Sequence, residues 1–418
     1  MKKIISIALA LLMVAVMLPV MAMAEGTNVA KIGDTEYATL EEAFTAVTTT
    51  DATTITLLDD ADVKNKIIVS DGKNITLDLG GHNVTISELG KYFYVKDATF
   101  TVNGGGSIKE AAAYLAPIIM KGGPAGSENF TIVNVKNGVT LEGWAGMFID
   151  QQNNGDNYGM VFNAENATLT GRNDTNNEAG VGLYVNGQIN ANVKISLTNA
   201  TVSGTGDGMY LAGAADTTIN GGSVTSSCTG IEIRAGSLTL NNCNVTGGNG
   251  SVTTNANGNG ATSENVALAV IQHTTRLPIH VEINGGTFKG TAALLESNPQ
   301  KNPEEATKNV GIVVNGGNFV GNINKNKDAS NLQITGGTFS DTGSAKEYLA
   351  PGKEFDRNGN VVPESITIIV PSEGGSTTTT PSTDNTKNPS TGANDFVGVA
   401  AALAVVSLLG AAAVIRKK

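Results

Sequence analysis

Ile219-Asn220-Gly221-Gly222-Ser223-Val224 is a phrase that the chain writes repeatedly. It returns as Leu240-Asn241-Asn242-Cys243-Asn244-Val245, as Ile283-Asn284-Gly285-Gly286-Thr287-Phe288, as Val314-Asn315-Gly316-Gly317-Asn318-Phe319 and as Ile334-Thr335-Gly336-Gly337-Thr338-Phe339. Degenerate copies begin at Leu79, Val102 and Leu197. From Leu197 the anchors step by 22, 21, 43, 31 and 20 residues, so the basic unit has 20–22 residues. The two long steps hold extra polar stretches, roughly 247–264 and 296–309. A second strand lies between anchors. Gly182-Leu183-Tyr184-Val185-Asn186-Gly187 matches Gly208-Met209-Tyr210-Leu211-Ala212-Gly213 and Gly230-Ile231-Glu232-Ile233-Arg234-Ala235. In the last copy Ile231 and Ile233 alternate with Glu232 and Arg234, which sends the two pairs to opposite sides of one strand. Leucine-rich repeats share this period, but their L-x-x-L-x-L signature is absent, and a propeller blade needs about twice the length.

A coil of short parallel strands answers this pattern. Each rung stacks on the next, so strand edges inside the stack are paired and the Ile, Leu, Val and Phe positions fill the axis. Asn220, Asn241, Asn284 and Asn315 fall at one offset in successive units. Stacked amides at that offset are expected to hydrogen-bond along the coil. The Gly-Gly steps supply positive φ at the corners. The open ends need caps. Leu40, Ala43, Phe44 and Val47 repeat at helical spacing behind Thr39 and Glu42, an S/T-x-x-E capping box, which predicts a short amphipathic helix within 37–48. A helical turn over Ser344–Leu349 and a hairpin near 354–370 are expected at the other end.

Composition narrows the function. The 418 residues include 51 Gly but 11 Pro, with no Gly-x-y period, which excludes collagen. The formal charge of −11 argues against a nucleic-acid partner, because phosphate contacts need clustered Lys and Arg. The two cysteines, Cys228 and Cys243, form no disulfide framework; a single bridge and two free thiols both stay open.

The ends read as addresses. Lys2-Lys3, an apolar run from Ile4 to Val20 and Ala22-Met23-Ala24 have the order of a secretory signal peptide over 1–24, cleaved between Ala24 and Glu25. Residues 371–387 are Thr-, Ser- and Pro-rich and read as a disordered linker. Residues 396–415 are apolar and long enough for a transmembrane helix, and Arg416-Lys417-Lys418 follows. Just before that span stands Asn388-Pro389-Ser390-Thr391-Gly392. This order resembles the L-P-x-T-G sorting signal of Gram-positive surface proteins, with Asn388 in place of Leu. The resemblance implies a sortase that cuts after Thr391 and joins it to peptidoglycan in the cell wall, so that the membrane is a partner only before sorting. Removing Lys2, Lys3, Asp395, Arg416, Lys417 and Lys418 takes the charge from −11 to −15.

Residues 30–86, with AKIGDTEYATLEEAF, TITLLDD and KNITLDLGGHNVT, and the later INGGTFKG and ITGGTFSD units resemble right-handed parallel β-helix domains of bacterial surface proteins, the pectin-lyase-like class. The expected chain is therefore all-β: a right-handed parallel β-helix (β-solenoid) over 25–370 with an N-terminal capping helix, then the linker, then a sorting signal over 388–418. The fold hosts many activities, so function must come from a site. No Gly-His-Gly segment is present, and the carboxylate sets of pectate lyases and pectin esterases do not map onto this chain. Aligning the second-strand copies places Tyr184, Tyr210 and Glu232 at one outward offset and Asn186, Ala212 and Arg234 two residues on, with Phe148 and Asp150 extending the stripe upstream. Rungs lie about 4.8 Å apart, near the length of one sugar, so the stripe suits a linear glycan along the coil. Asp207 and Glu232 are the one acidic pair suited to acid–base work, with Arg234 stabilising charge. A surface ion pair and ordinary β-forming tyrosines explain the same residues. Trp144, the single Trp, is read as a packed residue or as a sugar platform. Asp and Asn in 150–157 and 173–178 suggest calcium only weakly, since the D-x-[DN]-x-[DN]-G spacing is missing, and no metal site or cofactor is assigned. The expected role is adhesion to host or environmental glycans or to other surface proteins, or a structural one; the alternative is a polysaccharide lyase or hydrolase.

Overall fold

The computed structural model describes residues 28–123, 130–150, 159–187, 192–256, 263–325 and 331–365. All of them belong to one compact unit, and a second unit, 366–418, lies outside the described residues. So do the expected signal-peptide junction Ala24–Glu25, the linker and the sorting residues Asn388, Pro389, Ser390, Thr391 and Gly392. Among the described residues no helix is long and apolar enough to cross a membrane.

The unit is all-β, a long stack of mostly parallel strands compatible with a β-solenoid. Strands pair with the strand three places on, so the chain lays down three parallel sheets in rotation. The first sheet begins with Thr53–Leu57, Asn74–Asp78 and Thr99–Asn103; the second with Ala61–Val63, Asn83–Ile86 and Ser107–Glu110; the third with Ile67–Val69, Phe93–Lys96 and Ile118–Lys121. Alternate side chains point to the shared interior, where Ile55, Leu77, Phe100, Val102, Ile195, Leu240 and Phe319 are buried in one continuous core. The repeat anchors Leu197, Ile219, Leu240, Ile283, Val314 and Ile334 pair in unbroken register. Upstream the partner of Val102 is Leu77, not Leu79, so the degenerate copy expected at Leu79 is two residues out. Its Gly80-Gly81 corner imitates the later Gly-Gly steps but follows a longer turn.

The repeated phrase spans the end of a first-sheet strand, a corner and the start of a second-sheet strand. The first residue of the corner is left-handed in turn after turn: Gly104 (φ 89°), Asn137 (53°), Asn166 (49°), Asn199 (49°), Gly221 (68°) and Asn242 (55°). Asn tolerates this region better than other side chains and Gly enters it freely, which explains the Gly and Asn excess. Just before the corner, Asn241 donates to Asn220 Oδ1 (2.8 Å), Asn284 to Asn241 Oδ1 (3.0 Å) and Asn315 to Asn284 Oδ1 (2.9 Å), and Thr335 Oγ1 donates to Asn315 Oδ1 (3.0 Å). The expected ladder thus runs in one direction. Inside, Phe288, Phe319 and Phe339 stack at 5.0 and 4.6 Å between centroids.

At the N-terminal end Ala30–Ile32 and Thr35–Tyr37 form a hairpin, and Ala30–Ile32 closes the edge of the first sheet by pairing antiparallel with Thr53–Leu57. Helix α1, Leu40–Ala46, starts on a complete capping box between Thr39 and Glu42. Its Phe44 meets Phe93 and Phe100 at 5.6 and 5.9 Å. The C-terminal end carries a helical turn, Thr342–Ala345 and Lys346–Tyr348, then a hairpin of Lys353–Phe355 with Val361–Pro363.

Candidate functional site on the third sheet

Connections between the first and second sheets have two to four residues in the rungs from 53 to 246. Those flanking the third sheet range from the single Trp144 to the 19 residues 247–265. Long connections therefore border the outward face of the third sheet, the place where loops carry function on a rigid scaffold. That face bends sharply at its start. A Cβ on Gly208 would stand 2.5 Å from Gly230 O and from Val224 Cγ1, so only glycine fits there.

Outward positions on this face form two columns. Ile68, Tyr94, Ile119, Phe148, Tyr184, Tyr210 and Glu232 follow one another in register. Lys96, Lys121 and Asp150 head the second column, and Asn186 continues it through a 3.0 Å hydrogen bond to Asp150. Burial pushes the Asp150 carboxyl upward, while Lys121 and the Asn186 bond pull it down. The Tyr184 ring lies 4.9 Å from Phe148, 5.4 Å from Trp144 and 5.1 Å from Tyr210, against which it stacks. Trp144 is held by its Nε1 donating to Ala179 O at 3.0 Å, so it is a packed member of this cluster. Further toward the N-terminus the Lys66 ammonium sits 4.8 Å from the Tyr92 centroid and 4.4 Å from Tyr94, and Ile68, Leu89 and Tyr114 are exposed.

The register of the predicted stripe is as expected, but its exposure is not. Tyr184 is half-buried, whereas Tyr210, Glu232, Arg234 and Asp207 are buried. Glu232 and Arg234 are therefore no surface ion pair. Ser263, at the end of the connection that follows the second-sheet strand, sits on Glu232, while Val252 of the same connection packs on Val266, Ala269, Ile271, Ala292 and Leu295 of the next rungs. Glu232 Oε2 accepts from Ser263 N (2.9 Å) and Ser263 Oγ (2.6 Å), and Thr229 Oγ1 donates to Ser263 O (2.7 Å). Arg234 Nε stands 3.8 Å from Glu232 Oε1, and its Nη1 donates to the Tyr210 hydroxyl at 3.0 Å. Burial pushes the Tyr210 and Tyr184 hydroxyls up, against the opposing pull of Arg234. Asp207 and Glu232 act on one another: burial and the Glu232 charge drive the Asp207 carboxyl well above the aspartate range, with Arg234 opposing. The pair needed for acid–base chemistry is thus brought together, but on a face closed to solvent.

Cys228 and Cys243 are free thiols. Burial lifts them to about 11 and about 12. No group of acidic, His and Cys residues among the described residues suits a metal ion. Asp174 spends Oδ1 on the amides of Asn176 (2.8 Å) and Glu178 (2.7 Å), and 151–158 lie outside the described residues.

The upstream half of the face, Lys66, Tyr92, Tyr94 and Ile119, was not singled out from sequence. Its signal is the pattern Phe93-Tyr94-Val95-Lys96 and Ile118-Ile119-Met120-Lys121, matching Met147-Phe148-Ile149-Asp150, obscured by unequal connections. Comparison of the chain with known proteins finds no matching family model, no matching characterised protein and no matching solved structure.

Proposed function

We propose that this is an extracellular surface protein of a Gram-positive cell wall, joined to peptidoglycan through Thr391, whose right-handed parallel β-helix binds extended glycans. The observation that carries the binding reading is the aromatic run Tyr94, Phe148 and Tyr184, in register on one loop-bordered face and partly open to solvent. Partly exposed rings with polar neighbours suit sugars, which present an apolar face and a hydroxyl edge to a ring. Lys66, Asp150 and Asn186 supply hydrogen-bonding groups beside the rings. The enzymatic alternative is less well supported, because its acidic pair, Asp207 and Glu232, is buried, with Ser263 on Glu232.

A glycan array of the wild type against a Tyr94→Ala, Tyr184→Ala double variant tests the reading. Retention of the best ligand is expected to fall about tenfold or more, the effect of losing about 1.4 kcal/mol. Undiminished retention in a folded double variant overturns it.

A further inference from the structure

The buried cluster clasped by Ser263 has an unequal charge count. Two carboxyl groups, Asp207 and Glu232, share one guanidinium, Arg234, and all three side chains are fully or almost fully buried. Glu232 is engaged on both oxygens, by Arg234 and by the backbone and hydroxyl of Ser263. Among the described residues neither carboxyl oxygen of Asp207 has a hydrogen-bond partner. Asp207 pairs in register with Thr229, whose hydroxyl holds Ser263 O, so it sits beside the anchorage of the connection. Tyr210 and Tyr184 bear on the cluster through Arg234, Cys228 feels Asp207 and Glu264, and Asp150 acts on Tyr184. On the neighbouring rung His273 bonds to Thr275 Oγ1 at 3.0 Å.

We propose that a proton on Asp207 is the condition for the closed clasp between Ser263 and Glu232, so that its loss frees residues 263–265 from Glu232 and opens the buried carboxyl pair to water. The chemistry is balanced: Asp207 gives its proton to solvent hydroxide. The charge left behind stands against Glu232 in a buried site, where an unpaired carboxylate is costly. Opening lets water reach both carboxylates. Among the described residues 247–256 and 263–265 are joined to the solenoid by backbone bonds, Gly247 N to Lys289 O (2.8 Å), Gly248 N to Cys228 O (2.9 Å), Asn265 N to Cys228 O (2.9 Å) and Thr291 N to Gly248 O (3.1 Å), by Thr291 Oγ1 to Gly250 O (2.7 Å) and by the apolar contact of Val252, so that the clasp of Ser263 on Glu232 can open while the ends of the connection stay attached. The sign follows from linkage. A carboxyl raised in the closed state favours closure most at low pH, and the advantage disappears as pH rises from the ordinary aspartate range through the raised value. The glycan reading is not needed for this inference.

Hydrogen exchange of the full chain, corrected for intrinsic exchange and followed from pH 5 to pH 9, tests it. In the wild type the protection of 263–271 is expected to fall by up to about tenfold per pH unit through that window, the slope of one coupled proton. Asp207→Asn, which has the same shape and no titration, is expected to give a flat profile. Ser263→Ala removes the hydroxyl clasp but leaves Asp207, and its protection is expected to be low throughout and to meet that of the wild type at high pH. A flat wild-type profile, an unchanged slope in Asp207→Asn, or failure of the wild type to approach Ser263→Ala overturns the proposal. The last comparison stands even where Asp207→Asn does not fold.

Discussion

Asn241→Asp replaces one amide NH2 by an oxygen and tests whether the amide ladder has a direction. Asn241 donates through Nδ2 to Asn220 Oδ1 at 2.8 Å and accepts through Oδ1 from Asn284 at 3.0 Å. An aspartate at this place still accepts from Asn284 but loses the donor and sets a second oxygen against the Asn220 oxygen. A lost hydrogen bond costs about 1 kcal/mol, and the opposed oxygens in a half-buried site bring the deficit to about 1–2 kcal/mol at neutral pH. Below pH about 4 the carboxyl becomes a donor again, so about 1 kcal/mol of the deficit is recovered. The sign is that of a raised native carboxyl. Its contribution is complete below the unfolded value of about 3.9 and is lost as pH rises through the native value. Denaturant midpoints of wild type, Asn241→Asp and Asn241→Ala at pH 7 and pH 3 measure the effect. Subtracting the wild type removes the titration of every other group. The alanine variant loses both bonds and is expected to show the same deficit at both pH values. An aspartate deficit that does not shrink at low pH refutes a directional ladder at this rung.

Two further outcomes are expected. Phe319→Ala removes the middle ring of the Phe288–Phe319–Phe339 stack and should cost about 3–5 kcal/mol; because each rung touches only its neighbours, hydrogen exchange should accelerate first in 310–363, and equal acceleration in all rungs contradicts this. Thr391→Ala should shift the chain from the peptidoglycan fraction to the membrane or the medium, and undiminished covalent attachment to the wall rules out sorting at this residue.

Much of the scaffold was legible in the sequence because its determinants are local and periodic. The capping box of Thr39 with Glu42 and the glycine corners are complete within a few residues, and the anchors from Leu197 to Ile334, though 20–43 residues apart, carry the same short phrase each time. The three-sheet rotation was harder to see. The repeated phrase joins two strands across a corner of two residues, which leaves no gap to mark the division. Solvent access was not legible at all. The alternation Ile231, Glu232, Ile233, Arg234 tells which side chains leave the interior, but not what lies over them. Over Glu232 lies Ser263, in a stretch without period, and that contact spans 31 residues. The upstream rings Tyr92 and Tyr94 were missed for a related reason: connections of unequal length put equivalent strands out of step along the chain although they are in step across the sheet.

The corner between the first and second sheets barely changes length, while the margins of the third sheet take all the large insertions. One edge of the coil therefore serves as a spine and the other as a free margin. Duplicating a segment such as 215–235 adds a complete turn whose ends already match its neighbours, for Ala215 and Gly236 occupy equivalent places. Such a copy lengthens the rod by about 4.8 Å and requires no new corner. The length of this unit is thus adjustable in whole steps, independently of the connections on its decorated margin.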